Sequence, residues 1–135
     1  MFLMTIHVFG NQDLPEDSLA FTVSNKFRDF PGIIFRTIKP NEDLPLPEDK
    51  KLYLLDTVMG LDKVSILTEK EIDKLIISSS TTAHDYDLGF QLKYLRKIGK
   101  LDKFTIIGLP MNGDLDYDLI NSIFKKLVAQ DIQGS

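Results

Sequence analysis

The chain has no cysteine among its 135 residues. It therefore supplies no thiol nucleophile, no thiolate metal ligand, no disulfide and no redox pair. Any metal that it binds must be held by side-chain oxygen or by the nitrogen of one of its two histidines. A chain without cysteine is typical of a reducing compartment, and we expect a cytoplasmic protein.

The chain also lacks long apolar runs and an excess of positive charge. No run approaches the roughly 18 apolar residues that a membrane-spanning helix needs, and 16 basic residues face 20 acidic ones, for a net charge of −4. Residues 1–7 show neither a basic region nor a small-residue cleavage site. We expect a soluble monomer that binds neither nucleic acid nor membranes.

Apolar periodicity predicts alternating strands and helices in a single domain over residues 1–135. The sequence predicts an α/β fold, a three-layer sandwich with a mostly parallel five-stranded sheet and helices on both faces. A charged, edge-like continuation of the fourth strand is expected over Glu69 to Lys74. The five expected strands are Leu3 to Phe9, Gly32 to Ile38, Leu52 to Leu55, Val64 to Leu67 and Phe104 to Leu109, and the expected helices begin near Asp13, near His84 and near Leu119.

Two acids follow strands that should be neighbours. Asp17 comes after the first strand, near the inward face of the helix that begins at Asp13, and Asp56 is the first polar residue after the third. In the common 2-1-3 strand order these strands flank the switch point, where such sheets bind ligands at the carboxyl ends of their strands. We therefore expect the two carboxylates to converge.

Two carboxylates that lie close together repel each other. At about 5 Å and an effective dielectric near 20, their repulsion is roughly 3 kcal/mol. A divalent cation relieves it directly; otherwise one acid is protonated or the pair is splayed into water. His84 adds a neutral nitrogen above its reference pKa of about 6.5, so metal binding should weaken in mild acid. Asp17, Asp56 and His84 form an open ligand set for a borderline divalent metal.

Each of these residues also has an ordinary structural interpretation. Taken alone, each is more often structural than a ligand: Asp17 would complement a helix dipole, Asp56 would cap a loop, and His84 would lie in a turn. Asn11 is either a tight-turn residue or a side-chain amide that binds a substrate peptide. His7, on a buried strand, is expected to be a core histidine. The run from Ser78 to Thr82 lacks a nucleophile elbow and is interpreted as a flexible loop.

Three segments together resemble the nickel-iron hydrogenase maturation endopeptidases. They are Val8 to Ser18, a strand followed by Gly10-Asn11 and the acidic pair Glu16-Asp17; the apolar strand that ends at Asp56; and the segment from Ala83 to Gly89 around His84. Their order and approximate spacing match over most of the chain. The chain is most similar to an archaeal-type member of the family.

The resemblance implies an endopeptidase that removes the C-terminal extension of a hydrogenase large-subunit precursor after nickel insertion. Asp17, Asp56 and His84 would contact nickel that the precursor supplies, and cadmium or zinc would also fit the site. Apart from the resemblance, Glu16 is our candidate for an acid-base group, or for a group that supports the metal ligands, because it lies beside Asp17. We expect a metal-dependent, aspartic-type hydrolase whose partner is the precursor.

The chain departs from the family pattern at two positions. Ser18-Leu19 follows the acidic pair where a glycine is common, and Lys39 to Leu44 stands where many members have a glycine-rich segment. The second departure leaves an alternative open: a non-catalytic, metal-sensing binding protein or chaperone for the hydrogenase precursor.

Overall fold

The computed structural model describes residues 3–9, 18–38, 44–58, 60–71, 83–111 and 115–134, with the backbone alone at 83–87 and 131–134. Five strands and three helices follow one another along these residues. The strands are β1 (Met4–Phe9), β2 (Ile33–Ile38), β3 (Lys51–Val58), β4 (Ser65–Thr68) and β5 (Lys103–Pro110), and the helices are α1 (Leu19–Lys26), α2 (Ala83–Lys97) and α3 (Tyr117–Gly134).

The strands form one sheet in the order β2-β1-β3-β5-β4. Four of them are parallel, and β4 is an antiparallel edge strand on β5. The expected fold class, including the 2-1-3 order around β1, is therefore confirmed. Parallel pairing of β1 with β2 requires a chain reversal outside the sheet, and α1 lies in that connection.

The sheet has a hydrophobic core on each face. Ile6 and Val8 of β1 and Leu55 of β3 pack with α1 and α3 on one face. On the other face, Leu54 of β3 and Leu88 of α2 belong to a second buried cluster. Successive side chains along β3 point to opposite faces of the sheet, so this central strand contributes to both clusters. For this reason its sequence is a nearly continuous apolar run.

Phe124 of α3 is the aromatic centre of the first core. Its ring lies 5.1 Å from that of Phe27, 5.7 Å from that of Phe30 and 5.6 Å from that of Phe35, each in an edge or T-shaped arrangement. Such pairs add about 0.5–1.5 kcal/mol each beyond the burial of their area. This cluster joins α3 to the turn after α1 and to β2.

Two expectations about the elements need correction. The continuation of β4 was expected to be edge-like strand, but Glu69–Glu71 forms a 3-10 turn in which the Glu71 carboxylate accepts hydrogen bonds from the backbone N–H and hydroxyl of Thr68. β3 was expected to end at Leu55, yet it continues through Val58 because pairing with β5 extends to Pro110. The expected helix entrance at Asp13 lies outside the described residues, and so does the loop expected over Ser78 to Thr82.

Candidate functional site

The switch point of the sheet lies between β1 and β3. β1 pairs with β2 on one side and with β3 on the other, and the described β1–β3 ladder ends with Val8 opposite Leu55. Asp56 is the next residue of β3 and lies opposite Gly108 of β5. An acid is therefore placed close to the carboxyl ends of the central strands, where sheets of this type bind ligands.

Asp56 is almost completely buried, with 1% of its surface exposed. Its Oδ1 atom accepts a hydrogen bond of 2.9 Å from the backbone N–H of Thr57, and its Oδ2 atom is shielded from solvent. Burying a carboxylate is costly unless charge or hydrogen bonds compensate for lost hydration. A buried carboxylate within an apolar strand therefore contributes little to stability and is a candidate functional group.

The position of Asp56 relative to the end of β3 differs from the sequence-based prediction. It was predicted to be the first polar residue after the third strand, where it was also consistent with a loop cap. It lies instead inside β3, two residues before the strand ends, so the loop-cap interpretation is wrong. Its place in the alternation of β3 puts its side chain on the same face as Leu54 and Val58, the face that α2 covers.

Gly108 lies opposite Asp56 and was not predicted from the sequence to belong to the candidate site. A Cβ atom at this position would lie 2.7 Å from Cδ1 of Leu61 and 3.4 Å from Cγ2 of Val58. The missing side chain thus lets Leu61 pack over β5 directly beside Asp56. The available signal was a glycine inside an otherwise apolar strand, which often marks a close approach.

Thr57 was also missed. The residue is fully buried, and its Oγ1 atom has no hydrogen-bond partner among the residues that the structure describes. The polar dipeptide Asp56-Thr57 in an apolar strand was the sequence signal. Alternation sends the Thr57 side chain to the face opposite that of Asp56.

Among the residues predicted for the site, the structure describes the side chain of Asp56 alone. Asn11, Glu16 and Asp17 lie outside the described residues, in the connection between β1 and α1. His84 is the second residue of α2, and its side chain is likewise outside the description. No group of three potential metal-ligating side chains occurs within the described part of the chain. The expected convergence of Asp17, Asp56 and His84 stays a prediction.

His7, predicted to be a core histidine rather than a ligand, is only partly buried. It is half-buried on β1, opposite Arg36 of β2, and borders a hollow of about 300 Å³. Partial burial and then the positive charge of Arg36 lower the pKa of His7 from its ordinary value of 6.5. Both causes disfavour the protonated ring, so His7 is neutral at neutral pH.

Within the described residues, no helix is both long and apolar enough to cross a bilayer.

Comparison with known structures identifies a shared fold. The hydrogenase maturating endopeptidase HybD from E. coli matches with a TM-score of 0.59 over 86% of this chain and 77% of that chain, at 17% identity. The solution structure of an endopeptidase from Escherichia coli matches with a TM-score of 0.57 over 79% of this chain and 74% of that one, at 18% identity. No protein-family model and no curated protein sequence matches the chain. The chain therefore has the fold of hydrogenase maturating endopeptidase HybD.

Proposed function

We propose that this protein is an endopeptidase that removes the C-terminal extension of a nickel-iron hydrogenase large-subunit precursor after nickel insertion. The observation that carries the proposal is the buried carboxylate of Asp56 at the switch point of a sheet with the HybD fold. The three sequence segments that resemble the maturation endopeptidases give it independent support.

Nickel belongs to the substrate in this proposal. The precursor holds the ion, and Asp17, Asp56 and His84 complete its coordination, so that only a loaded precursor is held correctly. The burial of Asp56 suits this role, because a carboxylate kept from bulk water interacts strongly with a cation. An oxygen and nitrogen ligand set also agrees with a chain that contains no cysteine.

Catalysis would rest mainly on orientation. A precursor anchored through its metal presents the scissile peptide at a fixed position, which converts a bimolecular step into an effectively unimolecular one. Water then adds to the carbonyl carbon, the carbon–nitrogen bond breaks, and the leaving amine takes up a proton. Glu16 is the candidate for moving that proton, and Asn11 for binding the peptide backbone. Two routes fit this arrangement: a carboxylate activates the water, or the ion polarises the carbonyl.

The test is the mass of the precursor after incubation with the purified protein. The nickel-loaded precursor should lose its C-terminal extension, while the nickel-free precursor should keep its full mass. Asp17→Asn should abolish shortening and leave the melting temperature nearly unchanged. Asp29→Asn is the matched control, because the Asp29 side chain is 96% exposed. Full processing by the Asp17→Asn variant would contradict the proposal.

The same experiment tests a second candidate, a non-catalytic metal-sensing binding protein or chaperone for the precursor. The observation that favours it is the connection between β2 and β3, Lys39 to Lys50, which contains no glycine. Nickel-dependent complex formation without any change in precursor mass would support this candidate and exclude the protease.

A further inference from the structure

The outward side of α2 carries large apolar side chains in water. Phe90 is 58% exposed, Tyr94 is 54% exposed and Ile98, just after the helix, is 45% exposed. Residues four apart lie on the same side of a helix, so the three form one stripe along the outer face. The inward side of the helix already packs through Leu88 and Leu92.

The stripe borders two adjoining hollows of about 470 and 390 Å³. Tyr94 lines both of them, and the segment after β2 closes the larger one through Leu44 and Leu46. Leu46 is itself 47% exposed. We call this surface the α2 groove: its lining is Leu44, Leu46, Phe90, Tyr94, Leu95 and Ile98.

The rim of the α2 groove is basic although the chain is acidic overall. Between Phe90 and Lys100 there are four basic residues and no acidic one, whereas the whole chain has a net charge of −4. Lys97 and Lys100 border the hollows directly. Two copies paired through this face about a two-fold axis would bring their lysines together, which opposes self-association. Charge complementarity therefore favours an acidic partner.

We propose that the α2 groove binds an acidic amphipathic helix of a partner protein. Phe90 and Ile98 are eight residues apart, or about 12 Å along the helix axis at about 1.5 Å per residue. A helix of about three turns covers this length and presents apolar side chains at i, i+3, i+4 and i+7 to such a groove. Acidic residues on its flanks would meet the lysines. The inference does not depend on the proposed endopeptidase function.

The test uses a designed 18-residue peptide labelled with a fluorophore. The peptide carries leucine at i, i+3, i+4 and i+7 and glutamate on the flanks, and a control peptide carries lysine in place of each glutamate. Fluorescence anisotropy with the full-length chain should show binding of the acidic peptide and weak or no binding of the basic one. Binding should weaken with added salt, because the Debye length shrinks from about 10 Å at 0.1 M to about 3 Å at 1 M.

Substitutions locate the binding surface. Tyr94→Ser and Ile98→Ser should each raise the dissociation constant by about tenfold or more, since central apolar anchors dominate such interfaces. Ile66→Ser is the matched control, because Ile66 is 41% exposed on the edge strand β4. Lys97→Glu should weaken binding severalfold, and Lys126→Glu, an exposed position on α3, should not. Melting curves confirm that each variant is folded.

Three results would overturn the proposal. The first is equal binding of the acidic and basic peptides. The second is equal weakening by Ile66→Ser and Tyr94→Ser. The third is self-association of the chain in sedimentation experiments that Tyr94→Ser abolishes, since a second copy would then be the occupant. Processing of the hydrogenase precursor is a separate measurement, so failure of one proposal leaves the other intact.

Discussion

Replacing Asp56 by asparagine should raise stability and abolish function at the same time. Asparagine has nearly the same shape as aspartate, and its side-chain oxygen can still accept the hydrogen bond from the N–H of Thr57 that the structure shows at 2.9 Å. The substitution therefore removes the charge of a side chain that is 1% exposed while leaving the local geometry in place. Proteins often sacrifice stability at functional sites, and the role proposed for Asp56 would make it such a position.

The expected magnitude follows from two opposing terms. Burying an ion costs several kcal/mol after relaxation, and we take about 3 kcal/mol for this carboxylate. Converting the favourable interactions of the carboxylate, among them the hydrogen bond from the N–H of Thr57, from charged to neutral ones loses about 1–2 kcal/mol. The difference is a gain of about 1–2 kcal/mol in the free energy of unfolding. For a chain of this length the melting temperature should rise by about 4–8 °C.

The assay pairs calorimetry with precursor processing. Asp56→Asn should melt at a higher temperature than the parent protein and should shorten the nickel-loaded precursor at least about 100-fold more slowly, as expected when a metal-contacting group is lost. Asp29→Asn, at an exposed position, should change the free energy of unfolding by less than about 0.5 kcal/mol. A lower melting temperature for Asp56→Asn would show that the carboxylate is a structural anchor, and unchanged processing would refute its assigned role.

Three further predictions concern the fold and its pH dependence. Gly32→Ala should destabilise the protein more than Gly99→Ala in denaturant titrations. Both glycines have positive φ, but a Cβ at Gly32 would lie 3.0 Å from Val128, whereas one at Gly99 would meet nothing within 4 Å. Equal losses would show that the Val128 contact is relieved at little cost. Below pH 6.5, His7 binds fewer protons in the native protein than in the unfolded chain, because its pKa is lowered on folding. The free energy of unfolding should therefore fall as the pH drops below 6.5, and His7→Gln should flatten that part of the stability profile. An unchanged stability profile would contradict the assigned environment. Phe124→Ala should lower the free energy of unfolding by about 3–5 kcal/mol in urea titrations, and a loss below 1 kcal/mol would show that the three rings around it do not depend on it.

Local patterns predicted the sheet because its strands are nearly continuous apolar runs. β1 and β5 were located to within a residue at each end, and the alternation of strands and helices predicted the parallel sheet with its 2-1-3 order. The end of β3 was misjudged because aspartate is depleted in strands and Asp56 is the first polar residue after an apolar run. Pairing with β5 overrides that signal, and this interaction between distant segments has no local signature in the sequence.

The candidate site was predictable only in part, for a related reason. Asp56 was identified because an acid after an apolar strand is conspicuous, but its depth inside β3 depends on neighbours supplied by β1 and β5. The need for glycine at position 108 comes from contact with Leu61, a residue 47 positions earlier in the chain. His7 looked like a core residue because its neighbours Ile6 and Val8 are buried. Its own face of β1 is only partly covered, which the pattern of β1 alone does not reveal.

The most direct test of the proposed metal site is an anomalous-scattering crystal structure of the protein soaked with cadmium. We expect one cadmium ion bonded to the carboxylates of Asp17 and Asp56 and to a ring nitrogen of His84, at the carboxyl ends of β1 and β3. A structure in which these three side chains point apart and hold no shared ion, with cadmium bound only elsewhere, would contradict it.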